Sequence, residues 1–212
     1  MIVSDAFARL EPVLQEGLAT LSLPADLSAP LLAYLTLLAK WNKAYNLTSV
    51  REPSQMVTRH LLDSLSVTPF LYGERILDVG TGPGLPGIPL ALANPGLDFT
   101  LLDSLGKKTR FIQQVINTLE LANVTVIQSR VEDFQPAQGF STVISRAFSS
   151  LQDMVSHSRH CLVRGGRLLA MKGQYPQTEL DQLGDEVEIL SIQRLEVPGL
   201  SAERHLVIMT VH

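Results

Sequence analysis

The run Arg75-Ile76-Leu77-Asp78-Val79-Gly80-Thr81-Gly82-Pro83-Gly84-Leu85-Pro86-Gly87 constrains the fold of this chain more than any other. A short apolar strand runs directly into Gly80, Gly82 and Gly84, where the missing Cβ permits a sharp turn and close approach of a ligand to the backbone. Gly82 to Gly87 also satisfies G-x-G-x-x-G, with a strand expected before it and a helix after it, the context in which that pattern holds nucleotide-type cofactors. A chain with such a turn is expected to continue as strands alternating with helices around a parallel sheet.

The rest of the sequence follows that expectation. Strands are predicted over Arg75 to Val79, Phe99 to Leu102, Val124 to Ile127, Thr142 to Ile144 and Arg167 to Met171, with helices around Leu85 to Ala93, Lys107 to Leu119, Ser150 to Leu162 and Tyr175 to Leu183. Two last runs, Glu186 to Gln193 and His205 to Val211, flank the turn signal Pro198-Gly199 and are expected to pair antiparallel at one edge. The fold class expected is α/β: a Rossmann-like, mostly parallel seven-stranded sheet of the class I S-adenosylmethionine (SAM) methyltransferase type, with an antiparallel C-terminal hairpin and an N-terminal helical extension. Before Tyr72 the period is helical. Leu27, Leu31, Tyr34, Leu35, Leu38, Trp41 and Tyr45 form one stripe with Ser28 placed as N-cap, and Met56, Val57, Leu61 and Leu65 form another, opened by Pro53 and Ser54. The second stripe turns Arg59, His60 and Asp63 toward a more polar side. Residues 1–72 are therefore read as a helical extension packed on a catalytic domain of residues 73–212.

At 212 residues and 45% hydrophobic composition the chain can bury a substantial core. Its one cysteine, Cys161, forms no internal disulfide, and Met1 to Leu10 lacks the basic and apolar regions of a secretory leader. The most apolar stretch, Leu27 to Ala39, is interrupted by Ser28, Pro30 and Thr36 and is too short to cross a bilayer. A cytoplasmic, monomeric protein without membrane or metal partners is expected. The formal net charge of -4 argues against a protein that coats nucleic acid nonspecifically, while leaving room for a local basic face.

Two carboxylates bear on the cofactor. Asp78, two residues before Gly80, suits a ligand carrying an ammonium and a sulfonium and would repel a pyrophosphate, which favours SAM over a dinucleotide; otherwise it holds the turn through backbone bonds. Asp103 ends the second strand about 20 residues on, where an acid accepts hydrogen bonds from ribose hydroxyls; its other reading is helix capping. After the third strand, Ser129-Arg130-Val131-Glu132-Asp133 lies where an adenine would sit, with Val131 and Glu132 as contacts, or else as a solvated loop in which Arg130 pairs with Glu132 or Asp133.

The fourth strand ends in Ser145-Arg146-Ala147-Phe148, at the edge facing a transferred methyl. No Asn/Asp-Pro-Pro-aromatic motif stands there, which disfavours exocyclic amine methylation, and Cys161 lies in an amphipathic helix as an ordinary core residue, which disfavours pyrimidine C5 chemistry. A ring nitrogen with a free lone pair needs only alignment. Arg146 and Phe148 are then candidates for positioning a base, through guanidinium donors and an aromatic face, and Arg146 equally for holding the cofactor. Lys107, Lys108 and Arg110, or Arg159, His160, Arg164 and Arg167, are candidates for phosphate contact or plain solvated faces.

Taken together these residues resemble the RsmG (GidB) family of bacterial small-subunit rRNA guanine-N7 methyltransferases. The likeness is carried by Trp41 to Thr48, Arg59 to Ser64, Asp78 to Gly87 and Leu101 to Lys107, and extends through Ser129 to Glu132, Val143 to Phe148, Lys172-Gly173 and Glu203 to Leu206. The resemblance implies methyl transfer from SAM to N7 of guanine 527 in 16S rRNA, with the small ribosomal subunit as partner and SAM contacts at Gly80, Leu85, Val131, Glu132 and Arg146. Gly82 and Asp103 join that set from the reading of the turn and the strand-end acid. Two other classes stand beside it: an NAD-dependent oxidoreductase, because G-x-G-x-x-G and Asp103 also fit NAD, and a noncatalytic RNA-binding module on a methyltransferase fold.

Overall fold

The computed structural model describes residues 3–146 and 148–212, so Met1, Ile2 and the Ala147 of the Ser145-to-Phe148 segment lie outside the described residues. Its sheet has seven strands, β1 (Arg75–Val79), β2 (Asp98–Asp103), β3 (Val124–Gln128), β4 (Phe140–Ser145), β5 (Leu162–Lys172), β6 (Val187–Arg194) and β7 (His205–Val211). They lie in the order β3-β2-β1-β4-β5-β7-β6. The first five are parallel, and β7 runs antiparallel between β5 and β6. The expected antiparallel pair is thus present, with β6 alone forming the edge. β5 begins at Leu162 rather than Arg167, because Leu162 already pairs with Phe140 before the chain bulges and resumes register at Arg167 opposite Thr142.

Alternation along the strands separates two apolar layers. Ile76, Leu101, Ile144, Leu169, Leu206 and Ile208 face one layer, and Leu77, Leu102, Val143, Leu168, Val207 and Met209 face the other. The helices, in chain order, are α1 (Asp5–Ala8), α2 (Glu11–Thr20), α3 (Ser28–Tyr45), α4 (Pro53–Met56), α5 (Asp63–Leu65), α6 (Gly87–Ala93), α7 (Gly106–Leu119), α8 (Leu151–Ser158) and α9 (Gln177–Leu180). A π-helical segment, Val57–Leu62, joins α4 to α5. α6 starts at Gly87 rather than Leu85 because the N–H groups of Gly84 and Leu85 both bond to the Thr81 carbonyl and close a turn first.

The first layer joins residues 3–72 to the sheet. Leu31, Tyr34, Leu35 and Leu38 of α3 are buried with Ile88 of α6 and Phe111, Ile112 and Val115 of α7. Trp41 stacks between Tyr45 and Phe111, its ring centroid 5.2 and 5.6 Å from theirs. Against expectation, Ser28 is not the N-cap of α3. It is the first helical residue, and its hydroxyl instead donates to Glu11 Oε1 of α2 at 3.1 Å, which ties the two helices together.

Candidate active site

Strand order reverses between β2-β1 and β4-β5, and a crevice at the carboxyl ends of the strands is where an open α/β sheet binds ligands. Here two cavities meet at Gly80. One, of about 280 Å³, is lined by Asp103, Leu105, Lys108, Val131 and Glu132 among others. The second, of about 490 Å³, is lined on the turn side by Gly80, Gly82, Pro83 and Leu85. Across from the turn stand Arg146, Lys172 and Arg204, and from above come His60 and Asp63.

The turn is held from three directions. Gly80 and Thr81 donate their N–H groups to the Leu102 carbonyl at 2.9 and 3.1 Å. The buried hydroxyl of Tyr34, on α3, donates to the Pro83 carbonyl at 2.9 Å, so the N-terminal segment sets the height of the turn. Beneath it lies Asp78, whose Oδ2 accepts from the Thr81 hydroxyl at 2.6 Å and from the Gly87 N–H at 2.8 Å. Gly87 can approach so closely only because it lacks a Cβ, which would sit 2.1 Å from the Leu101 side chain.

This corrects the ligand-facing reading of Asp78. The side chain is wholly buried and lines neither cavity, so it holds the turn rather than meeting a cation. Burial raises its pKa from 3.8 to about 7, against the lowering effect of the Thr81 and Gly87 hydrogen bonds. A neutral carboxyl is the form that tolerates Oδ1 being buried without a hydrogen-bond partner.

Asp103 does line the smaller cavity. Its Oδ2 accepts from the Gly82 N–H at 2.9 Å and from Lys108 Nζ at 3.2 Å, and its Oδ1 from the Leu105 N–H at 2.9 Å. A carboxylate offers about four acceptor sites, so capacity remains for a hydroxyl. Gly82 has a φ of 62° and nothing within 4 Å of where a Cβ would stand, an open floor for a ligand. Val131 is buried at the base of the same cavity, while Glu132 is exposed at its rim. Among the described residues no ion pair joins Arg130 to Glu132 or Asp133. Open glycines, an acid with spare acceptor capacity and an apolar base suit the ribose and adenine of SAM.

The larger cavity is built around a carboxylate that sequence periodicity turned toward a merely polar side. Asp63 is buried, and each of its oxygens pairs with a different arginine: Oδ2 with Arg146 Nη1 at 3.1 Å and Oδ1 with Arg204 Nε at 2.8 Å. Arg146 Nη1 also donates to the Arg59 carbonyl at 3.4 Å. His60 is buried beside them, its Nε2 2.9 Å from Thr48 Oγ1. Desolvation, with Arg146 adding to it, holds the His60 pKa down to about 4, so the ring is neutral at pH 7. Lys172 pairs with Glu179 at 2.7 Å, and the same Glu179 Oε2 accepts the Leu151 N–H at 2.8 Å, which fixes the start of α8.

Of the predicted site residues, the structure gathers Gly80, Gly82, Leu85 and Arg146 on one cavity and Gly80, Asp103, Val131 and Glu132 on the other. Phe148 lines neither; half-buried, it packs toward the second apolar layer with its ring 6.3 Å from that of His157. Lys107 donates to the Tyr45 carbonyl at the end of α3, and Lys108 is engaged by Asp103. Arg159, His160 and Arg164 sit where β5 begins, the end of the sheet opposite the cavities. Sequence reasoning did not nominate Asp63, His60, Lys172, Arg204 or Tyr34 for the site. A signal existed in the second helical stripe, where an acid and a histidine interrupt residues otherwise bound for the core.

Known proteins share this fold. The solved structure of the glycopeptide N-methyltransferase MtfA complexed with SAM is similar with a TM-score of 0.61 at 11% identity, over 72% of this chain and 87% of that one. An rRNA methylase from Streptococcus thermophilus gives a TM-score of 0.50 at 15% identity, over 71% and 94%. Such identities speak to fold alone, and the fold is that of a class I SAM-dependent methyltransferase. Residues 28–207 match the GidB family model, described as rRNA small subunit methyltransferase G. Ribosomal RNA small subunit methyltransferase G of Idiomarina loihiensis is 58% identical over 84% of this chain and 87% of its own length. That of Escherichia coli K12 is 53% identical over 90% and 92%. The chain belongs to this family and is a methyltransferase, which sets aside the oxidoreductase reading.

Proposed function

We propose that the chain transfers the methyl group of SAM to N7 of a guanine in 16S rRNA, guanine 527 by family resemblance. The observation that carries the reading is the pair of cavities meeting at Gly80, one suited to an adenosine and the other lined by guanidinium groups. SAM supplies an activated methyl on a sulfonium; the protein supplies position. Guanine N7 has a free lone pair, so no residue need remove a proton from it. The titratable groups in the larger cavity accord with that: Asp63 is bound by two arginines, and His60, its pKa held down to about 4, is a weak base engaged by Thr48. Gly80, Gly82, Leu85, Asp103, Val131, Glu132 and Arg146 would hold the cofactor. Small-subunit rRNA is the partner, and among the described residues no helix is long and apolar enough to cross a membrane.

The test is transfer of labelled methyl from SAM to small subunits and to their naked RNA, both from cells lacking the gene, followed by chemical cleavage at N7-methylguanine. Label at guanine 527 is expected. Label at another atom or position overturns the acceptor assignment, and absence of SAM binding together with retained RNA binding makes the chain a noncatalytic module.

A further inference from the structure

The Asp63 ion pairs reach across the sheet. Register places Ile144 of β4 beside Asp78 of β1, so Arg146 stands next to the glycine-rich turn. Ser145 of β4 pairs with Ala170 of β5, and Lys172 of β5 pairs with His205 of β7. The backbone of Arg204, just before β7, therefore lies two strand spacings beyond that of Arg146, about 10 Å further from the turn, while their guanidinium groups converge on the two oxygens of Asp63. A carboxylate descending from the helical segment above the sheet grips both. Each guanidinium has five N–H donors in a fixed fork. Arg204 uses Nε on Asp63 and Nη1 on the Glu203 carbonyl, and about a quarter of its side chain stays exposed at the cavity. Gly173 lines the same cavity beside it.

From this geometry we propose that Asp63 is a positioning residue that sets a cofactor-side arginine, Arg146, and an acceptor-side arginine, Arg204, in one frame, and that Arg204 binds a phosphate of the acceptor RNA. The inference rests on the methyl-transfer reading for the identity of the RNA and deepens it by dividing the two arginines between the two substrates. Asp63 touches neither substrate. It acts by fixing the distance between them and by offsetting one of two cations that would otherwise repel each other and drift into solvent.

The test is a double-mutant cycle on the full chain with Asp63→Asn and Arg204→Ala, read by RNA binding to small-subunit 16S RNA, by SAM titration calorimetry, and by KM and kcat for methyl transfer. Arg204→Ala is expected to weaken RNA binding about tenfold or more and to leave SAM affinity within about threefold. Asp63→Asn should weaken RNA binding likewise and, because Arg146 is also released, should lower SAM affinity and kcat as well. On RNA binding the double variant should be no worse than the worse single variant, the non-additivity of residues that act through one another. Asp63→Glu, which keeps the charge, should recover part of the RNA affinity. Additive losses overturn the proposal, as does an Arg204→Ala that weakens SAM and spares RNA. Should Asp63→Asn unfold, Arg204→Ala and Arg204→Lys still decide the phosphate contact: retention of full RNA affinity by both overturns it. Loss of the methyl-transfer reading is separate, since it appears as wild-type protein that binds both partners and labels no guanine.

Discussion

Asp78→Asn is expected to flatten the pH dependence of stability, and the sign follows from burial. In the unfolded chain the carboxyl titrates near its ordinary 3.8, whereas under the turn burial holds it to about 7. Between those values the folded state keeps a proton that the unfolded state has released, so unfolding free energy falls as pH rises. The stabilising contribution is complete below about pH 4 and lost as pH climbs through about 7. At about 1.4 kcal/mol for each pH step, the window holds ~4 kcal/mol, of which about 2–3 kcal/mol falls between pH 5 and pH 7. Asparagine keeps an oxygen to accept from Thr81 and Gly87 and does not titrate. Urea unfolding of both proteins at pH 5, 6, 7 and 8 gives the difference directly. Wild type should lose stability relative to the variant across pH 5 to 7, and the two should run parallel above pH 8. A constant difference over the whole range would refute the argument, because it would mean that Asp78 is ionised under the turn throughout.

Two glycines of the turn should fail differently. Gly87→Ala puts a Cβ 2.1 Å from the Leu101 side chain and 2.8 Å from Asp78 Oδ2, and overpacking of that kind costs about 1–3 kcal/mol in a melt or urea titration. Gly82→Ala meets no atom but must hold a φ of 62°, so stability should drop by about 1 kcal/mol while SAM affinity, measured by calorimetry, falls tenfold or more. Tyr34→Phe removes the buried bond to the Pro83 carbonyl and leaves that oxygen unpaired. A loss of about 1–3 kcal/mol is expected, with weaker SAM binding as the turn loosens; unchanged SAM affinity would show that the turn holds its shape without α3.

The turn side of the candidate site was legible because it depends on residues at strand ends. A short strand running into glycines, as β1 does, announces where it stops, and what stands at the stop faces the crevice of any open α/β sheet. Gly80, Asp103 and Arg146 could be placed that way. Asp78 could not, because two positions before Gly80 its side chain lies buried beneath the turn, bound by Thr81 and Gly87. The side of the larger cavity built by Asp63, His60 and Arg204 was mostly illegible because its parts come from elements that meet only in three dimensions. Asp63 and His60 ride on a helix whose π-helical stretch, Val57–Leu62, winds more residues per turn than a 3.6-residue period assumes. Periodicity did turn Arg59, His60 and Asp63 to one polar side, where they line the same cavity, but it gave no sign that His60 and Asp63 are buried there. Phe148 illustrates the opposite error: two positions past a strand-end arginine, it packs toward the apolar layer as large aromatic side chains commonly do.

Charge offers a last quantitative handle on the proposed RNA site. The chain carries a formal net charge of -4, yet Arg59, Arg146, Lys172 and Arg204 all line one cavity, opposed there by Asp63. Cations are thus concentrated at the mouth of the site while the rest of the surface is on balance repulsive to phosphate. Of the four, Lys172 is engaged by Glu179 and Arg146 lies on the turn side, which leaves Arg59 and Arg204 and so contacts to about two phosphates. Counterion release from single-stranded RNA contributes a slope of about 0.7 per phosphate neutralised, so log affinity against log salt should fall with a slope between about -1 and -2. A protein that gripped RNA through a broad basic face would give about -6 or steeper. Titration of small-subunit RNA at salt concentrations from about 50 to 200 mM distinguishes them. A steep slope would mean that the RNA is held by cations outside the cavity, and Arg204 would then be one contact among many.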